Sequence, residues 1–201
     1  MRIGILTFHR ADNFGAVLQA YALQKYLLMQ GNNVDIIDYR CRAIEEVYQP
    51  FCMRNYFRKN IKKVLRRFFF DICVAKDVMK KHCKFEAFRK QYLHLSHPVY
   101  DISDIVSLKY DTIVVGSDQV WNKYLTSNDL VYFIPMVGVR KVSYAVSMER
   151  SSLNDILENK SFYGEMLNSF SAISVREKAI ADNLNKIGIE NVQLTCDPTF
   201  F

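Results

Sequence analysis

The sequence predicts an α/β fold: a Rossmann-like parallel sheet flanked by helices, with a helical insertion. Three observations point there. Short apolar runs rich in β-compatible residues alternate with segments of helical period along most of the chain. The first three elements read strand, helix, strand with tight joints, the βαβ unit that implies parallel pairing. Half of the 201 residues are hydrophobic and only 7 are Gly and 4 Pro, so the chain can bury a sizeable core with little irregular structure.

Residues 3–8 are the first apolar run, closed by His9 and Arg10; it is too short for the core of a signal peptide and reads as a buried strand. After a polar loop, Val17, Ala20, Leu23 and Leu27 recur on one helical stripe, and Gly31-Asn32-Asn33 supplies the stop. Residues 34–39 read as the second strand. From about 45 to 95 the rhythm breaks. Ile61, Leu65, Phe68, Ile72, Ala75 and Met79 form a helical seam, with Lys59, Lys62, Lys63 and Arg66 on another face. One or two long helices are expected here, with Phe68, Phe69 and Phe70 packed into the core and His97-Pro98 marking the return to the sheet. Strands then follow at 110–116, 141–147, 170–175 and 192–195, with a helix at 177–187 that ends at Gly188.

The net charge of +6 is unevenly spread: from Arg54 to Gln91 there are 13 Lys or Arg and three acids, and the rest of the chain is mildly acidic. The basic character therefore belongs to one element. Five cysteines, odd in number and without a C-x-x-C pair, read as reduced thiols in a cytoplasmic protein. Cys83, His94 and His97 fit no zinc template, and no metal is expected. No apolar run approaches the roughly 18–20 residues needed to cross a bilayer.

In open parallel sheets, ligands bind beyond the carboxyl ends of the strands, and four polar loops occupy that position here. Asn13 and Gly15 stand at a helix N-terminus whose amides can hold an anion; equally, Asp12 or Asn13 is an N-cap and Gly15 a packing glycine. No dinucleotide or Walker A pattern is present. Ser117, Asp118, Gln119, Trp121 and Asn122 group a hydroxyl, a carboxylate, two amides and the only tryptophan, a set suited to gripping a saccharide; the alternative is a capped turn over a buried Trp121. Ser143 and Ser147 fall on one face by alternation alone. Arg176, at a strand end, can meet a carboxylate or phosphate bidentately, or can pair with Glu177 or Asp197.

In order, these segments resemble the signatures of the polysaccharide pyruvyl transferase family. The first is similar to Asn13-Phe14-Gly15-Ala16-Val17-Leu18-Gln19-Ala20-Tyr21-Ala22-Leu23, and the second to Gly116-Ser117-Asp118-Gln119-Val120-Trp121-Asn122. Ser143-Tyr144-Ala145, Ile173-Ser174-Val175-Arg176-Glu177 and Asp197-Pro198-Thr199 resemble the remaining three. The resemblance spans nearly the whole chain except the basic insertion, and departs at Met148-Glu149-Arg150, where the family has a small residue or glycine. It implies one domain of a glycosyltransferase-B-like fold, and transfer of a pyruvyl group from phosphoenolpyruvate onto a pair of saccharide hydroxyls as a ketal, in polysaccharide biosynthesis at the cell envelope.

On this resemblance Arg176 holds phosphoenolpyruvate, Asp118 is the carboxylate on the acceptor side, and Asn13, Gly15, Ser117, Gln119, Trp121 and Asn122 bind substrate. No cofactor is implied beyond phosphoenolpyruvate as donor substrate. Residues 1–201 are expected to be the N-terminal domain alone, with the second domain absent or encoded separately and little turnover without it. The expected partners are a saccharide acceptor, lipid-linked in one version, and a membrane surface met by the basic helix at the inner face. A solvated helix face is the plainer alternative, and no nucleic-acid recognition motif is present. The alternative functions are a non-catalytic saccharide-binding or partner-dependent half, and a basic protein that binds a membrane surface or nucleic acid.

Overall fold

The computed structural model describes residues 1–49, 51–52 and 60–201. Lys59 and the other basic residues at 53–59 lie outside the described residues. In chain order the elements are β1 (Arg2–Leu6), α1 (Phe14–Met29), β2 (Asn33–Ile36), α2 (Arg42–Val47), α3 (Ile61–Tyr92), α4 (Ile102–Ser107), β3 (Thr112–Asp118) and α5 (Lys123–Thr126). Then come β4 (Arg140–Val146), α6 (Arg150–Glu158), α7 (Lys160–Asn168), β5 (Ala172–Val175), α8 (Lys178–Lys186) and β6 (Gln193–Leu194).

All six strands are parallel, in the order β2-β1-β3-β4-β5-β6. The chain winds outward from β1 to β2 on one side and then from β3 to β6 on the other. The crevice between the carboxyl ends of β1 and β3 is therefore the topological switch point. Near-continuous burial along β1 and β3 follows from helices covering both faces, which is why these strands read as unbroken apolar runs. One core cluster gathers Ile113, Val115, Trp121, Phe133, Leu167 and Leu184; a second joins Ile3, Ile5, Ala20, Leu23 and Ile36 on the opposite face.

The expected stripe of α1 is buried at Val17, Ala20 and Leu23, and Gly31, at φ +79°, ends the helix with its amide donating to the Leu28 carbonyl. Two buried glutamines on the same helix escaped the apolar pattern. Gln24 bonds the Val34 and His94 carbonyls, and Gln19 spans the Thr7 hydroxyl and the Ser117 amide. In β4 the ladder with β5 shifts register between Ser143 and Val146. There the Ser143 hydroxyl accepts from the Ser174 amide at 3.0 Å and the Ser174 hydroxyl accepts from the Ala145 amide at 3.0 Å. The serines replace the ladder bonds that the bulge breaks.

In the basic segment one long helix forms as expected, α3, of 32 residues, but what it buries departs from expectation: its buried residues are Asp71, Phe85 and Arg89. Phe68, Phe69 and Phe70 are not in the core; they are 45%, 64% and 54% exposed. The seam from Ile61 to Met79 is between 45% and 68% exposed at every large side chain. A four-three apolar spacing specifies a helix with an apolar stripe, and does not specify that this chain covers the stripe. The return to the sheet starts at Leu95, before His97-Pro98, with Leu95 bridging Ile36 and Val99 bridging Tyr39.

Gly116 sits in β3 at φ +111°, and a Cβ there would overlap the Tyr144 carbonyl oxygen and lie 2.9 Å from Val146 Cγ2. Gly116→Ala is expected to cost about 3 kcal/mol or more in urea unfolding, because strand pairing leaves the neighbouring backbone no room to move. Gly138→Ala, also at positive φ but with nothing within 4 Å, is the control and should cost about 1 kcal/mol.

Candidate functional site

The switch-point crevice opens into a cavity of about 340 Å³, lined among others by Asn13, Gly15, Tyr48, Asp118, Gln119, Arg176, Asp197 and Thr199. Most of these residues end a strand or lie in the segment that follows one, and Tyr48 follows α2. Asn13 is extended and caps α1, its side-chain oxygen accepting from the Ala16 amide at 3.3 Å, so the helix N-terminus faces the cavity. Asp118 ends β3 at φ +116°. Arg176 follows β5, its amide held by the Val146 carbonyl, and its Nη1 donates to Asp197 Oδ2 at 2.7 Å. The Arg176 Nε–H is buried without an acceptor among the described residues.

Asp197 is anchored from four sides. It accepts from the Thr199 amide and hydroxyl, from the buried Ser117 hydroxyl at 3.2 Å and from Arg176. Burial alone would raise its pKa, but these donors outweigh burial and hold the carboxyl below the usual carboxylate range. Asp118 goes the other way. Burial pushes its carboxyl up, with the Asp197 charge adding a little, and the Gln119 amide and Arg176 recover only part. Two carboxylates in one cavity are thus driven apart, one kept ionised and one made the stronger base.

The opposed shifts give opposite pH dependences. Asp118 binds its proton more tightly folded than unfolded, so its contribution to stability is present at acid pH and is lost as pH rises through its folded-state pKa. Asp118→Asn, which never ionises, should melt higher than the parent at neutral pH, with the gap closing as the pH falls into the carboxylate range. Equal melting at both ends would mean that Asp118 ionises freely. Asp197 contributes in the reverse sense: its stabilisation is present above the ordinary range and is lost as pH falls through its lowered pKa.

The family model for polysaccharide pyruvyl transferase matches residues 13–201. The chain belongs to the polysaccharide pyruvyl transferase family. No curated protein and no solved structure matches it at a significant level. The segments that carry the family likeness are far apart in sequence and meet at this cavity: Asn13 and Gly15, Asp118 and Gln119, Arg176, and Asp197 with Thr199 all line it. The Ser143-Tyr144-Ala145 segment stands behind them, with the Ala145 carbonyl accepting from the Ser117 hydroxyl at 3.1 Å.

Three expected binding residues do not line it. Trp121 is 2% exposed, stacked on Phe133, and its indole N–H donates to the Tyr132 carbonyl; its ring fills the core and offers no face to a sugar. Asn122 caps α5, accepting from the Tyr124 and Leu125 amides. Ser117 is fully buried, between the Ala145 carbonyl and Asp197. A binding-loop composition and a capped turn over a buried tryptophan look alike in sequence, and here the turn prevails.

Sequence reasoning missed Tyr48 and Gln19, which line the cavity, and did not place Asp197 there. Tyr48 follows α2 and brings an aromatic ring to the wall; burial raises its pKa, and the charges of Asp118 and Asp12 raise it further. It also lines a second cavity, of about 310 Å³, with Arg10, Arg40 and His82. Its only sequence signal is an aromatic beside a short helix, which many core residues share. Among the described residues, no three His, Cys, Asp or Glu group to hold a metal. All five cysteines are free.

Proposed function

We propose that this chain binds phosphoenolpyruvate and a saccharide at the switch-point cavity and transfers the pyruvyl group to a pair of saccharide hydroxyls as a ketal, with release of phosphate. The observation that supports this reading most is a guanidinium with a free N–H beside a carboxyl of raised proton affinity, in a cleft of the family's own residues. In the proposed chemistry, protonation of the enol carbon leaves an oxocarbenium-like centre, which one hydroxyl attacks. Phosphate departs and the second hydroxyl closes the ketal. Arg176 would hold the donor carboxylate or phosphate, helped by the N-terminal amides of α1. Asp118 would take the proton of an attacking hydroxyl, a task that raised proton affinity favours. Gln119 and Asn13 carry amides for acceptor hydroxyls, and Tyr48 a ring for a sugar face. The resemblance implies a second domain opposite this wall, which would add cations and exclude water.

A second reading has one observation behind it. Among the described residues, the only cation lining the cavity is Arg176, against two carboxylates, which suits a neutral saccharide better than a multiply charged donor. Calorimetric titration with phosphoenolpyruvate, at low and moderate salt, separates the two. Saturable binding that weakens with salt supports donor binding. Absence of binding by the folded chain overturns it and leaves a saccharide-binding wall.

A further inference from the structure

Among the described residues, the long helix α3 leaves an apolar surface uncovered, independently of the transferase reading. Its buried residues, Asp71, Phe85 and Arg89, fall within a narrow arc of the helix at about 100° per residue. About a third of a turn round from that arc runs a stripe of Ile61, Leu65, Phe68, Phe69, Ile72 and Met79, between 45% and 68% exposed. Phe51, 43% exposed, packs its ring on Phe68 and widens the patch. The outer border of the stripe is Lys62, Arg66, Lys76 and Lys80, all exposed, with exposed Asp77 just beyond it on the far side from the stripe. The helix is about 48 Å long, yet no helix among the described residues is long and apolar enough to cross a membrane.

We propose that this face of α3 lies on an anionic lipid bilayer, its stripe entering the headgroup boundary and its cations meeting lipid phosphates. The charge and the width of the patch select this occupant. A helix rich in Lys and Arg along one side of an exposed aromatic and aliphatic face is the arrangement that binds in the interface plane. The four-three spacing would also suit a second copy, but pairing would set one cationic border beside another. Phe69 also falls outside the narrow seam that two helices share. A nucleic acid would match the cations and could stack on Phe69, but it would leave Ile61, Leu65, Ile72 and Met79 in water. Because Met79 lines the second cavity and Tyr48 lines both, the stripe leads from the proposed lipid surface toward the candidate active site.

Flotation of the 201-residue chain with vesicles tests this, using phosphatidylcholine alone and phosphatidylcholine with one-third phosphatidylglycerol. The expected result is partition onto the anionic vesicles only, weakened by salt. Leu65→Ser and Phe69→Ser together should weaken it about tenfold or more. Lys62→Gln and Lys80→Gln should each weaken it about fivefold. All four positions are exposed, and far-ultraviolet circular dichroism confirms that the variants fold. Failure to float with anionic vesicles overturns the proposal, as does equal partition onto phosphatidylcholine. So does tighter binding to a duplex or single-stranded oligonucleotide at the same ionic strength, or a dimer by light scattering that Leu65→Ser disperses.

Discussion

Arg176→Ala is expected to weaken phosphoenolpyruvate binding by about a hundredfold or more while leaving the melting temperature nearly unchanged. Two effects add. The variant loses the only guanidinium that lines the cavity among the described residues, with the Nε–H that can complete a fork around a carboxylate or phosphate. It also leaves Asp197 ionised and unopposed, because Thr199 and Ser117 still hold that carboxylate in place, and its charge repels an incoming anion. Stability changes little because the Arg176 side chain is 28% exposed and its pair with Asp197 is partly screened. Arg176→Lys should recover part of the affinity, since the charge returns without the planar fork. Asp197→Asn should tighten binding, since Arg176 is released from its internal competitor. Titration of the three variants decides: unchanged affinity in Arg176→Ala removes Arg176 from the donor site. Weaker binding in Asp197→Asn would mean that the ion pair positions Arg176 and does not compete for it.

Arg89→Met should cost the fold about 3–5 kcal/mol, a large share of a domain's stability. Arg89 is wholly buried, and its guanidinium reaches Asp12 Oδ1 at 2.7 Å, Glu86 at 2.9 Å and the carbonyls of His9 and Ala11. Among the described residues, Asp12, 2% exposed, keeps the His82 Nδ1 contact when the arginine is gone, and its carboxylate is then buried without its guanidinium partner. Glu86 loses less, because Arg10 also reaches it at 2.9 Å; burial favours its protonation, yet Arg10 and Arg89 together hold its carboxyl below the usual range. The network joins the C-terminal half of α3 to the loop that presents Asn13, so α1's capped end should loosen with it. Urea unfolding checks the cost, and Arg89→Met with Asp12→Asn should be less destabilised than Arg89→Met alone. Equal loss in single and double variants would show that the methionine misfit, and not the stranded charge, is responsible.

The architecture was legible because parallel strands buried on both faces must be apolar throughout, and strand ends in such a sheet must carry the polar loops. The runs at 3–8 and 110–116, the stripe Val17–Ala20–Leu23 and the stop at Gly31 all lie where the local pattern places them, within a few residues at the ends. Arg176 shows the limit. Its position after a strand was readable, and so were Asp197 and Glu177 as candidate partners. The choice between them was not, because it depends on where the turn after β6 returns; Glu177 in fact accepts from the Ser147 hydroxyl.

By itself, the sequence determined the alternation of strands and helices, the sheet's parallel pairing, the basic charge of one element and the family to which the chain belongs. These follow from local spacing and composition, which are properties of short stretches of chain. Only the tertiary structure decided that Trp121 fills the core and not the cavity, that Tyr48 and Asp197 line the cavity, that Arg89 neutralises Asp12 across 77 residues, and that Phe68, Phe69 and Phe70 remain exposed. Each of those outcomes depends on which distant segment arrives to cover, pair or solvate a side chain. Burial and electrostatic compensation are sums over neighbours in space, and the order of residues along the chain does not contain them.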